Sequence, residues 1–86
     1  MEPKIGLIGY YNVRFYLILK SEEDHVKFNY LANRIDSGEA IMMRSIYAWC
    51  DNQGIIYKTK FMYRKDFSLK ANLWNLYSYM RGKLER

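Results

Sequence analysis

The strongest constraint in the chain is a period-two pattern near its start. Val13, Phe15, Leu17 and Leu19 alternate with Arg14, Tyr16, Ile18 and Lys20, which places four β-forming apolar side chains on one face of a strand. Ile5 and Leu7 alternate with Gly6 and Ile8 just before it. A single strand over residues 4–20 would be unusually long. Gly9 and Asn12 both tolerate positive φ, so the pattern predicts a hairpin with its turn within residues 9–12. Gly6 marks a bulge or a close backbone approach.

Residues 21–38 change period. Ser21 is a helix N-cap with Asp24 as its capping-box partner, and Glu22, Glu23 and Asp24 suit the positive end of the helix dipole. Phe28, Leu31, Ala32 and Ile35 fall on one face, and Gly38 supplies the stop. Residues 40–50 fit two templates. Ala40, Met43, Tyr47 and Cys50 make a helical stripe; Ile41, Met43, Ser45, Tyr47 and Trp49 make a strand alternation. The turn-like run Asp51, Asn52, Gln53, Gly54 and the strand after it favour a second hairpin. In residues 55–64, Ile55, Tyr57, Thr59, Phe61 and Tyr63 share one face, while Lys58, Lys60 and Arg64 dominate the other around Met62.

Residues 68–84 predict a second helix, capped by Asp66 or Ser68 and shortened by Gly82. Its stripe is Leu69, Leu73, Leu76, Tyr77, Met80 and Leu84, with Arg81, Lys83 and Arg86 at the C-terminal end. Leu73 and Leu76 at its centre should be buried, and Leu73→Ala should cost about 2–5 kcal/mol. The expected architecture is one α+β domain over residues 1–86: ββαββα, a four-stranded antiparallel sheet with two helices on one face and the other face open.

Size agrees with a single domain. At 10.4 kDa, folding should remove roughly 9,700 Å² of surface, enough for one modest core. No apolar stretch is long enough to span a membrane, and no signal-peptide pattern opens the chain. A lone Cys50 cannot form an internal disulfide, so a reducing, cytoplasmic setting is expected.

Charge is asymmetric. Residues 1–40 hold five basic and six acidic side chains; residues 41–86 hold nine and three. Lys58, Lys60, Arg64, Lys65 and Lys70 cluster with a single acid, Asp66. Basic side chains interleaved with rings suit single-stranded nucleic acid, since cations track phosphates and π-faces take bases. On a regular strand, however, Tyr57, Phe61 and Tyr63 point away from the lysines. Tyr16, Trp49 and Trp74 remain as the rings that can reach an open surface. The competing explanation is a solubilising lysine face on an edge strand.

No constellation for catalysis emerges. Glu22, Glu23, Asp24 and His25 are adjacent on a helical turn and do not converge. Nothing local activates Cys50 as a nucleophile, and one Cys with one His cannot make a structural zinc site. Phosphate-loop and hydrolase-elbow patterns are absent. Leu31, Ala32, Ile35 and Asp36 resemble the helix-end motif of LAGLIDADG homing endonucleases. Gly38 stands where that family has its metal-binding acid and Asn33 replaces its packing glycine, so no function is carried over.

A small non-catalytic binding or regulatory protein without a cofactor is therefore expected, of the type common among phage and mobile-element accessory proteins. Its basic second half would engage nucleic acid or a nucleoprotein through Lys58, Lys60, Arg64, Lys65 and Lys70. The alternative is an inhibitor or adaptor, of host-takeover or anti-defence type, docking on a protein through Tyr16, Trp49 and Trp74. Third comes a small nuclease using Asp36, Glu39, Asp51 and Asp66. A twofold dimer covering the half-open sheet is a further expectation.

Overall fold

The computed structural model describes residues 3–38 and 41–84. Their order is β1 (Lys4–Tyr10), β2 (Val13–Leu19), α1 (Glu22–Asp36), α2 (Met43–Asn52), β3 (Ile56–Phe61) and α3 (Leu69–Leu84). The three strands form one antiparallel sheet in the order β1-β2-β3. The α+β class stands. The expected fourth strand is instead a helix, giving three strands and three helices among the described residues.

The first hairpin forms as the alternation requires. Tyr10 pairs with Val13, leaving Tyr11 and Asn12 as a two-residue turn. Tyr11, not a glycine or asparagine, takes the positive φ, at 53°. Asn12 is held elsewhere: it is buried, and its side-chain amide donates to the carbonyl of Met62 at 2.9 Å. Gly6 sits where a Cβ would lie 2.6 Å from the Phe28 ring. Close packing of α1 on β1 thus explains that glycine.

α1 begins as expected. Ser21 Oγ accepts from the Asp24 amide at 3.2 Å. The Asp24 carboxylate reaches back to the amide of Lys20, one residue before the cap, at 2.8 Å. Gly38 ends the helix with φ of 82°.

Residues 43–52 are the clearest correction to the second hairpin. Met43, Ile46, Tyr47 and Cys50 are all buried, at the spacing i, i+3, i+4, i+7 of a helix facing a core. The run read as a hairpin turn is a helix terminus. Gly54 has φ of 69°; its amide donates to Asp51 and that of Ile55 to Cys50, the bond pair of a Schellman C-cap. Ile55, 4% exposed, completes the motif by returning to the core.

The core lies between the sheet's inner face and the helices. Phe15, Leu17, Ile46, Tyr47 and Cys50 are each fully buried at its centre. Tyr57 and Phe61 join from β3: Tyr57 packs on Phe15 and Tyr47, and Phe61 on Tyr79. The inward face expected for residues 55, 57, 59 and 61 is present. Tyr63 lies beyond the strand and is exposed.

α3 overturns another expectation. Ser68 caps it, accepting from the Ala71 amide at 3.1 Å, and the helix continues past Gly82 to Leu84. Its buried residues are Asn72, Tyr79 and Gly82. Leu73 is 57% exposed and Leu76 is only partly buried. The apolar stripe faces solvent. Three asparagines explain the orientation. Asn72 Oδ1 accepts from the amide of Arg64 at 3.0 Å and from Asn12 Nδ2. Asn72 Nδ2 donates to Arg64 O at 3.0 Å and Ser68 O at 2.9 Å. Asn75 Nδ2 donates to Asn12 Oδ1 at 2.7 Å. Turning the stripe inward would strand these buried amides and the backbone groups they satisfy. Gly82 supplies the rest: a Cβ there would lie 2.7 Å from the Tyr47 ring, so it lets α3 approach α2.

Candidate binding surfaces

Two surfaces remain uncovered. The first is the outer face of the sheet. Opposite residues of antiparallel strands share a face, so the register defines three rows. Ile5, Ile18 and Ile56 form one; Leu7, Tyr16 and Lys58 the next; Gly9, Arg14 and Lys60 the third. Ile5, Leu7 and Ile56 are each more than half exposed. Tyr16 is half-buried at the centre, and Arg14, Lys58 and Lys60 are exposed. These nine positions carry three cations and no acid.

The sheet therefore unites Lys58 and Lys60 as expected and adds Arg14, which the charge count of the first half concealed. Arg64 is elsewhere. It lies in the β3–α3 connection, paired with Asp66 (Nε to Oδ1, 3.0 Å) and 4.2 Å above the Phe67 ring. That hydrogen bond, with the guanidinium charge, holds the Asp66 carboxyl below its usual value. Lys65 is exposed in the same connection and Lys70 in the first turn of α3. The five expected cations thus occupy two regions.

The second surface is the outward side of α3. Leu69, Leu73, Trp74, Tyr77, Met80 and Leu84 are each more than half exposed. Beside them runs a groove of about 620 Å³ between the C-terminal half of α3, the start of α2 and the β1–β2 turn. Trp74, Tyr77, Tyr10, Tyr11, Arg44 and Arg81 line it. The Tyr10 hydroxyl donates to the Ile41 carbonyl; burial, then the neighbouring Tyr11, pushes its phenol up. Arg81 donates to the Tyr77 hydroxyl at 3.4 Å. The sequence signal for this surface was present in the asparagines at 72 and 75, which a purely hydrophobic reading of the helix ignores.

The three candidate interface rings occupy three different places. Tyr16 is on the sheet face. Trp49 is partly buried and stacks on Tyr30 of α1, with ring centres 6.5 Å apart. Trp74 is on α3, 67% exposed.

Cys50 is fully buried, and His25 is half-buried on α1. Among the described residues, no group of three or more His, Cys, Asp or Glu side chains could hold a metal ion. Of the nuclease candidates, Asp36 ends α1, Asp51 lies in the last turn of α2 and Asp66 is in the β3–α3 connection; Glu39 lies outside the described residues. No helix among the described residues is long and apolar enough to cross a membrane. Comparisons with protein families, curated proteins and solved structures find no match for the chain.

Proposed function

We propose that the protein is a non-catalytic binding protein that engages single-stranded nucleic acid, free or in a nucleoprotein, across the outer face of its sheet. One observation carries this reading: Tyr16 lies at the centre of an uncovered face whose charged side chains, Arg14, Lys58 and Lys60, are all cationic. A face serving solubility alone would not leave Ile5, Leu7 and Ile56 exposed beside those cations. Single-stranded nucleic acid matches both properties. Its phosphates pair with the cations, and its bases present flat apolar surfaces to Tyr16 and the aliphatic rows.

Fluorescence anisotropy of labelled twelve-nucleotide DNA and RNA homopolymers, measured across a salt series, tests this. Each phosphate contact on a single strand steepens the salt dependence by about 0.7 in log–log slope. Changing Arg14, Lys58 and Lys60 together to Gln should flatten the slope by about 2 and weaken every homopolymer alike. Tyr16→Ala should cost about 1–3 kcal/mol of binding through lost stacking. A triple variant that binds as tightly as the parent at low salt refutes the proposal for this face.

A further inference from the structure

The outward side of α3 is independent of the sheet face, and its chemistry is specific enough to name a partner. We infer that α3 and its groove dock an acidic amphipathic helix of another protein.

Three observations support this. The first is shape and composition. α3 has sixteen residues, about 24 Å of helix, along which Leu69, Leu73, Tyr77, Met80 and Leu84 recur at i, i+4, i+8, i+11 and i+15. Such a stripe on a folded, fixed helix takes a partner's apolar face through matching anchors. The second is charge. Lys70 and Lys83 are exposed near the two ends of α3, which contains no acid, Lys83 with its ammonium 4.9 Å from the centre of the Tyr79 ring. A docking helix whose apolar stripe is flanked by Glu or Asp complements this border. The third is concavity. The groove beside Trp74 and Tyr77 is large enough for a bulky partner side chain, and buried aromatic pockets are where binding energy concentrates.

Charge also disfavours a second copy: α3 carries cations and no acid, so pairing two α3 faces brings only like charges together. A lipid surface has no projecting anchor to fill the groove.

The test is selection from a phage-displayed library of sixteen-residue amphipathic peptides. Their stripe is Leu, Met and Phe, and their flanking positions are randomised among Glu, Lys and Gln. Recovered peptides should carry at least fivefold more Glu than Lys. Leu73→Glu should weaken their binding at least tenfold while leaving the thermal midpoint in place. A Lys70→Glu, Lys83→Glu variant should reverse the preference toward Lys, which a merely structural role would not produce. The inference is overturned if no peptide is enriched, if recovered peptides show no acidic excess, or if Leu73→Glu leaves their binding unchanged. It is equally overturned if α3 instead mediates a dimer in sedimentation, or binding to phosphatidylserine vesicles, that Leu73→Glu abolishes.

Discussion

Two adjacent residues of α3 should respond to truncation in the reverse of their hydrophobicity. Asn72 is 2% exposed and Leu73 57% exposed. Truncating Asn72 to Ala removes the acceptor of the Arg64 amide and a donor to the Arg64 carbonyl. Asn12 Nδ2 keeps the Met62 carbonyl, and the Ser68 carbonyl keeps the helical bond from the Asn72 amide. The Phe67 carbonyl also loses its bond from Asn72 Nδ2, a long one at 3.3 Å, so three groups lose a partner, two of them from shorter bonds. At roughly 1–3 kcal/mol for each buried polar group left without a partner, and with some relief from water entry, Asn72→Ala should cost about 2–4 kcal/mol. Leu73→Ala removes side-chain atoms already largely in water and should stay within about 1 kcal/mol. For a domain of this size each kcal/mol shifts the thermal midpoint by about 4–8 °C. Asn72→Ala should therefore melt at least about 8 °C lower, and Leu73→Ala within a few degrees of the parent. Paired urea and thermal melts measure both. If Leu73→Ala is the more damaging, the stripe packs inward and the orientation of α3 described above is wrong.

Gly82→Ala should destabilise by about 1–3 kcal/mol through overpacking, because its Cβ would meet the fully buried Tyr47 ring; a melt equal to the parent's would show that α2 and α3 do not approach so closely. The Asp66 carboxyl should titrate below its ordinary value, and Arg64→Gln should return it, since the side-chain hydrogen bond from Arg64 is the leading cause. A depressed carboxylate contributes stability above its unfolded pKa and loses it as pH falls through its folded pKa. The small effect of this exposed pair should thus vanish only in acid, as carboxyl NMR titration can follow.

The two proposed surfaces differ in what reads them. The sheet face offers charge and a ring to a flexible polyanion, so its binding should be strongly salt-dependent. The α3 face offers an apolar stripe and a groove with a basic border, so salt should modulate its binding less. Substitutions confined to one surface should leave binding at the other unchanged, because they act on exposed groups of separate elements.

The β1–β2 hairpin, α1 and β3 were legible in the sequence because their signals are local. Alternation over seven residues in β2, a Ser21 cap with acids in the first turn, and the inward positions 55, 57, 59 and 61 each act within one element. Residues 43–52 carried both a strand and a helix pattern. The choice fell to tertiary packing: only a helix buries Met43, Ile46, Tyr47 and Cys50 together, and Gly54 then ends it. The facing of α3 was not legible from its own periodicity, because its hydrophobic stripe is outweighed by polar groups about sixty residues distant in the chain. Asn12 meets Asn72 and Asn75 only once the hairpin and the β3–α3 connection are in place. A buried amide without partners costs more than a leucine left half in water. The sheet face was partly legible, through Lys58 and Lys60; Arg14 and Tyr16 joined them only through the pairing of β2 with β3, a register that no single strand contains.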